Sequence, residues 1–306
     1  MIYIITGASG FIGKKLVERL LKDKESIVIG IDINSSEINN DKYTHKIMDI
    51  REKIDIDMPD EKVMIFHLAA LISVEDSMSD PNKYYNTNVL GTINVLEFMV
   101  KNNIKNIYFS STAAVYSFGS NLLKENDECN PSSIYGMTKY HSENIIKFYT
   151  ERYDINAIIF RFFNVAGGRD TQDKPHHLIP VLVNNINKKW YIYGDNYDTK
   201  DGTCVRDYIH VDDIVSAFIK IIDYNFKYEI FNLGSGAGYT VKEIINLLKE
   251  IIKKDYTIPD IIITNRRDGD PGILVADTNK FRNKTGWRPD KTLNDIIVDT
   301  LRAYIF

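Results

Sequence analysis

Tyr135 and Lys139 stand four apart in a stretch whose pattern suits a helix, so the two side chains share one helical face. That pairing can do chemistry. A lysine ammonium beside a phenol favours the phenolate and lowers its pKa, which makes the tyrosine a usable general base. Moving a phenol from about 10 to about 7 takes roughly 4 kcal/mol of differential stabilisation. A close charge in a site shielded from water supplies that order of energy. Upstream, Asn106–Thr112 ends in three successive hydroxyls, Ser110, Ser111 and Thr112. Buried hydroxyls need partners, and a strand ending this way fits a polar pocket. Tyr and Lys at this spacing also occur on ordinary helices, so the pair alone does not decide.

A second constellation lies at the start of the chain. Met1–Thr6 is a short apolar run of strand-forming types, followed at once by Gly7, Gly10, Phe11, Ile12 and Gly13 and then by an amphipathic stretch. Ser26–Ile31 reads as the next strand and ends at Asp32, 19 positions after Gly13. Strand, glycine turn, helix and strand form a βαβ unit. In such a unit the glycines permit the turn, the approach of a pyrophosphate and close helix–strand packing. The helix N-terminus faces the phosphates. Asp32 is placed to accept from a ribose 2′-hydroxyl, and its charge disfavours a 2′-phosphate, so the expected cofactor is NAD.

The remaining elements must position these groups. Asn34 to Tyr43 reads as a loop and Lys46–Ile50 as a short strand, with Asp49 at its end either near an adenine or in a turn. Lys62–Ala70 is nearly all apolar, as a strand buried on both faces should be. Its small end, Leu68, Ala69 and Ala70, leaves room for a ligand at the carboxyl edge of the sheet. His67 within it reads as a core histidine. Asp80-Pro81 opens a helix running to about Lys101, and a further helix runs from about Ile134 to Tyr153. Asn156–Phe160 is the next strand. A boundary is expected near 165–170, at the turn Gly167-Gly168-Arg169-Asp170. The second half is rich in aromatics and arginines, among them His176-His177, Trp190–Gly194 and Arg266-Arg267-Asp268. Such a set suits a phosphate and a stacked base, and equally ordinary surface ion pairs. Thr240-Val241-Lys242-Glu243 is a capping box.

Composition sets the bounds. The 306 residues suffice for one large domain or two modest ones. A net charge of −4 from 38 basic and 42 acidic residues gives no footprint for nucleic acid. Two cysteines, Cys129 and Cys204, imply no disulfide framework, and an intracellular, cytoplasmic location fits. The first apolar run is too short for a signal peptide, and no stretch approaches the ~18 apolar residues of a membrane span. No metal site is expected.

Taken together, Gly7-x-x-Gly10-x-x-Gly13, Ser110-Ser111-Thr112 and Tyr135-x-x-x-Lys139 resemble the extended short-chain dehydrogenase/reductase family. Arg161–Gly167, Tyr197–Val211 and Arg266-Arg267-x-Gly269-Asp270-Pro271 look like the UDP-glucose 4-epimerases within it. The resemblance covers nearly the whole chain. It implies an α/β fold: a doubly wound, mostly parallel Rossmann sheet over 1–165, rejoined by about 211–233, and a smaller C-terminal α/β domain over 166–306 for the UDP-sugar. It implies a catalytic trio of Tyr135, Lys139 and Thr112 that inverts C4 of a UDP-hexose through a 4-keto sugar. The implied NAD-binding residues are the glycine turn with Phe11 and Ile12, then Asp32, Asn34, Asp49, Ile50, Leu68, Ala69, Ala70, Asn88, Ser110, Tyr135, Lys139 and Phe162. The implied substrate residues are Thr112, Asn164, His177, Leu178, Tyr193, Arg206, Arg267, Asp270 and Leu274. A homodimer through the helices near 81–101 and 134–153 is also implied.

Four departures from the family pattern stand out. Ile72 sits where some members have a lysine, and Phe162 replaces a common tyrosine. The loop after Asp32 is short. Leu274 is intermediate at a position where tyrosine favours plain hexoses and small residues admit N-acetyl sugars, so UDP-N-acetylhexosamines or another UDP-sugar stay open as substrates. A nucleotide-sugar 4,6-dehydratase is disfavoured, because Ala113-Ala114 stands where that group has Asp-Glu.

Overall fold

The computed structural model describes residues 1–306 except 60, 118–121, 170–174, 176, 268 and 306. Asp170, His176 and Asp268 of the stretches above therefore lie outside the described residues. The chain forms two compact units: 1–116, 128–161 and 215–231 make the first, and 117–127, 162–214 and 232–306 the second.

The first unit carries a seven-stranded sheet. Its strands in chain order are β1 (Ile2–Thr6), β2 (Ile27–Asp32), β3 (Tyr43–Ile47), β4 (Val63–His67), β5 (Asn106–Thr112), β6 (Asn156–Phe162) and Tyr228–Leu233. Across the sheet the order is Tyr228–Leu233, β6, β5, β4, β1, β2, β3. β1 pairs in parallel with both β2 and β4, β2 with β3, and β4 with β5. The chain starts in the middle of the sheet and reverses direction at β1, which leaves a crevice beyond the carboxyl ends of β1 and β4. Every residue of β1 and β4 is buried, which is why both read as unbroken apolar runs. Ile4, Ile65, Ile107 and Ile159 pack with Val95 and Leu96 of the covering helix. Each such side chain contributes about 1.5–3 kcal/mol by leaving water.

Two elements differ from the sequence reading. The third strand covers Tyr43–Ile47 rather than 46–50, and Ile47 is exposed. This is the sheet edge, where pairing with one neighbour rather than burial selects the strand. The helix opened by Pro81, with the Asp80 carboxylate accepting from Lys83 N, contains a π-helical segment at Tyr85–Leu90 before resuming as Gly91–Lys101.

The second unit is built on Val205–His210. That strand pairs in parallel with Asn164–Ala166 and Ile273–Leu274 and antiparallel with Gly238–Thr240. A separate parallel pair joins Trp190–Tyr193 to Ile261–Thr264. Trp190, Ile192, Leu182, Ile244, Leu248 and Ile297 form its core. The Val241–Ile252 helix starts with the expected capping box, Thr240 and Glu243 satisfying each other's backbone amides.

Candidate active site

In the first unit the glycine turn follows β1 directly. Gly7 has φ +75°, and a Cβ there would lie 2.8 Å from Ala69 N. A Cβ on Gly13 would meet Gly7 O at 2.0 Å, so only glycine lets the Phe11–Leu20 helix sit this close to the turn. No side chain caps that helix at Gly10, and its first-turn amides are open to an anion. Asp32 accepts from Ser9 N at 3.0 Å and Asn34 N at 2.9 Å, so the carboxylate is oriented from both sides. A cradle stripped of side chains, open amides and a fixed carboxylate fit a dinucleotide.

Further along, Asp49 lies past its strand and is paired with Arg51 at 2.5 Å, which holds its carboxyl below the usual range. Ile50 is buried against Gly91. Leu68, Ala69 and Ala70 form the half-buried segment leaving β4. Asn88, on the π-helical segment, spends its amide on that segment: it accepts from Leu71 N at 2.8 Å and donates to Leu71 O at 3.0 Å and Thr138 Oγ1 at 3.0 Å. Its side chain therefore shapes the loop after β4. His67 is a satisfied core histidine, with Thr6 Oγ1 at 2.7 Å and Thr92 Oγ1 at 3.0 Å.

Tyr135 and Lys139 lie one turn apart on the Ile134–Arg152 helix, and Thr112 ends β5, the strand whose Ser110 carbonyl the Lys139 ammonium meets. Ser133 caps the Ile134–Arg152 helix by accepting from Gly136 N at 3.1 Å, and Tyr135 N donates to Ser77 Oγ at 3.1 Å. The start of the helix is thus held at two points. Burial pushes the Tyr135 phenol up to about 12, against a hydrogen bond with the Thr112 side chain that pulls it down. Lys139 is 2% exposed and donates to Ser110 O at 2.7 Å. Burial lowers its ammonium to about 7, against the Glu143 carboxylate, which raises it. The expected lowering of the phenol by Lys139 is therefore not what dominates here: the ammonium serves a carbonyl, and desolvation of the phenol prevails.

In the second unit the predicted substrate residues form a cluster of their own. Arg206 Nη2 lies 2.5 Å from Asp270 Oδ1. The Arg267 guanidinium sits 4.0 Å over the Tyr193 ring, and Arg266 sits 4.0 Å over Tyr197. Leu274 pairs in register with Arg206. Asn164 donates to Asp207 O at 3.0 Å. His177 precedes the Leu178–Asn184 helix, and Phe162 is buried.

Residues 3–234 match the model of the NAD dependent epimerase/dehydratase family. A UDP-glucose 4-epimerase of Mycoplasma pneumoniae is 32% identical over 326 residues, covering 98% of this chain and 96% of its own. One of Lactobacillus helveticus is 34% identical over 315 residues, covering 96% of this chain and 94% of its own. The chain belongs to the NAD dependent epimerase/dehydratase family. Among solved members, the UDP-glucose 4-epimerase of Bifidobacterium longum in complex with NAD+ and UDP superposes with a TM-score of 0.88. It is 30% identical, with 99% of this chain and 98% of that one covered. The UDP-Glc/GlcNAc 4-epimerase of Campylobacter jejuni gives 0.81 at 31% identity, with 99% and 98% covered.

Sequence reasoning missed several groups that shape the site of this family member. Ser9, Ser77 and Ser133 fix Asp32 and the Tyr135 helix; Ser133 was legible as a helix cap. Glu143 was legible as the next step of the i, i+4 series after Tyr135 and Lys139, but nothing in the sequence named Arg161 as its partner. The distinctive run Tyr197–Val211 is largely scaffold. Asp201 accepts from Thr203 and Thr240, and Asp207 accepts from Ser235 N, Gly236 N and Ala276 N.

Proposed function

We propose that this chain is an NAD-dependent 4-epimerase that interconverts UDP-glucose and UDP-galactose, placing it in galactose metabolism. The observation that carries the reading is the seating of the Tyr135–Lys139 helix against the end of β5, where the buried Lys139 ammonium donates to Ser110 O at 2.7 Å, two residues before Thr112. The family membership and the two curated relatives support it.

The glycine turn and the open amides after Gly10 would hold the pyrophosphate of NAD, and Asp32 the adenosine ribose. Asn34, Asp49 and Ile50 would border the adenosine, and the Leu68–Ala70 segment, Asn88, Ser110 and Phe162 the remaining cofactor surface. Bound NAD supplies a reversible hydride acceptor. Tyr135, as phenolate, removes the proton of the sugar 4-hydroxyl as C4 is oxidised. Thr112 bonds the same oxygen and relays the proton. Lys139 would hold the nicotinamide ribose and would add positive charge beside the phenol. Arg206 and Arg267 grip the diphosphate, Tyr193 stacks on the base, and Asp270 takes the ribose. Asn164, His177 and Leu178 complete the nucleotide contacts, and Leu274 borders the sugar. With the nucleotide as the handle, the 4-keto sugar can present its other face before the tyrosine returns the proton.

In domain terms, residues 1–165 with 211–233 serve NAD, and 166–306 serve the UDP-sugar. A cytoplasmic homodimer belongs to the same reading. It is supported by the exposed apolar side chains of Leu90, Val100 and Phe148 on the helices near 81–101 and 134–153. Among the described residues no helix is long and apolar enough to cross a membrane.

One assay tests the activity. The purified protein is incubated with UDP-galactose, and UDP-N-acetylgalactosamine in parallel, and products are separated by chromatography. UDP-glucose should form without added cofactor, and no turnover of either sugar would refute the reading. Light scattering tests the dimer.

A further inference from the structure

One buried ion pair lies beside the site and is not used by the chemistry above. The Glu143 carboxylate, one turn beyond Lys139, receives Arg161 Nε at 3.0 Å and Arg161 Nη2 at 2.7 Å, and the Ser111 hydroxyl also donates to it. The side chains of Arg161 and Glu143 are 2% and 3% exposed. The guanidinium also lies 4.7 Å over the Tyr116 ring. Taking two charges out of water is unfavourable, and well-packed apolar residues hold a fold at least as well. Stability alone therefore does not account for a fork-to-carboxylate pair at this depth.

Its placement does. Lys139 reaches the carbonyl of Ser110, and Glu143 reaches the hydroxyl of Ser111, the next residue of β5. Two successive turns of the helix are thus pinned to two successive residues of the strand that ends in Thr112. Arg161, from the neighbouring strand β6, locks the second pin. We infer that the Arg161–Glu143 pair, seated on Ser111, is a positioning device for the proposed reaction: it sets the register of the Tyr135–Lys139 helix against β5 and supplies the negative charge that balances the Lys139 ammonium.

The titratable and charged groups around that ammonium can be named. Glu143 is on its own helix, Arg161, paired with Glu143, is on β6, and His67 on β4 is held neutral by burial. Glu143 is the only anion among them, and the other charged neighbour is a cation. Without the carboxylate, Lys139 gives up its proton at a lower pH, and the phenol then loses the charge that favours its ionised form.

The inference rests on the proposed epimerase reading, and the test separates the two. Holoenzyme with Glu143→Gln, and holoenzyme with the apolar pair Glu143→Leu/Arg161→Met, are compared with the unaltered protein for kcat and KM on UDP-galactose across neutral and alkaline pH. The double variant removes Glu143 and Arg161 together, so neither is left buried without the other, and Lys139 can answer the loss by giving up its proton. In both variants kcat should fall about 10- to 100-fold with KM within about twofold. In Glu143→Gln, which removes the anion and leaves the Arg161 cation, the alkaline limb of the kcat profile should also move down by about one pH unit or more. A double variant with unaltered kcat and an unaltered alkaline limb would show that the pair is only structural and overturn the inference, and this holds even where Glu143→Gln alone fails to fold. If the unaltered protein does not turn over UDP-galactose, the epimerase reading fails by itself. The inference is then read from the NMR titration of the Lys139 ammonium, assigned against Lys139→Met. Its midpoint should lie lower in Glu143→Gln, and equal midpoints overturn it.

Discussion

The Lys139 ammonium donates to the Ser110 carbonyl at 2.7 Å, one helical turn from the phenol it is expected to serve. The phenol meanwhile is held near 12 by burial. Bringing it to neutrality from there spans about five units, roughly 7 kcal/mol at about 1.4 kcal/mol per unit. That is more than the 4 kcal/mol inferred from an unperturbed tyrosine. A single hydrogen bond from Thr112 is too small to close the gap, since charge-assisted bonds contribute about 1.5–3 kcal/mol. The positive charge of a nicotinamide, added to that of Lys139, would be of the right sign.

Tyr135→Phe removes only the hydroxyl, and the backbone contacts of the residue stay. Its helix is held by Ser133 and by the Ser77–Tyr135 amide contact, neither of which involves the phenol. We expect unchanged circular dichroism and retained cofactor, with kcat lower by roughly 10²–10⁴-fold. A variant near the unaltered rate would show that another group is the base.

Gly13→Ala should damage the fold and the cofactor together. Its Cβ would meet Gly7 O at 2.0 Å, a backbone atom in a turn that has no slack. Overpacking of this kind costs about 1–3 kcal/mol. The melting temperature should fall by several degrees, and the absorbance of co-purified dinucleotide should drop. Substitution at Gly286, a left-handed helix cap with φ +71° in the second unit, should lower the melting temperature through backbone strain but leave the dinucleotide absorbance unchanged, which separates the two effects.

His67 gives a pH dependence of defined sign. Burial first, and the Lys139 charge second, depress its pKa to about 3 from 6.5. The folded chain refuses a proton that the unfolded chain binds. Its contribution is therefore complete above pH 6.5 and is lost progressively as the pH falls from there toward 3. The slope approaches about 1.4 kcal/mol per unit. Urea denaturation at descending pH should show this slope, and His67→Gln should flatten it.

Arg206→Lys should weaken nucleotide binding while sparing the first unit. Lysine keeps the charge but not the fork that meets paired phosphate oxygens. We expect KM for UDP-galactose to rise about tenfold or more, with a smaller change in kcat. Titration of UDP against the intrinsic tryptophan signal gives the same comparison without turnover.

How much of this was legible depended on whether a pattern is local. The β1–turn–helix–β2 unit was readable because its signals are short-range: apolar runs, glycine spacing, a terminal acid. Asn106–Thr112 matched to the residue, since both its ends carry polar markers. The third strand was misplaced by three residues, because an exposed edge shows little apolar alternation. The π-helical segment at Tyr85–Leu90 had no marker at all; the bond its Asn88 makes to the backbone of Leu71 is a contact across 17 positions, which no local pattern carries. The Tyr135–Lys139 spacing was readable, but the direction of the ammonium was not. That direction is set by β5, whose neighbourhood to the helix is a property of the folded sheet.

In the second unit the side chains proposed to hold a nucleotide already hold each other. Arg267 covers the face of Tyr193, Arg206 neutralises Asp270, and the two pairs are joined through the turn in which Asp270 N donates to Arg267 O at 3.3 Å. Occupancy is then an exchange of partners. A bare phosphate can draw off one arginine but offers nothing to Tyr193, and a free base can claim the ring but strands the guanidinium it displaces. A molecule carrying ring, ribose and diphosphate on one frame would replace each of these contacts at once, whereas a fragment would replace only some of them.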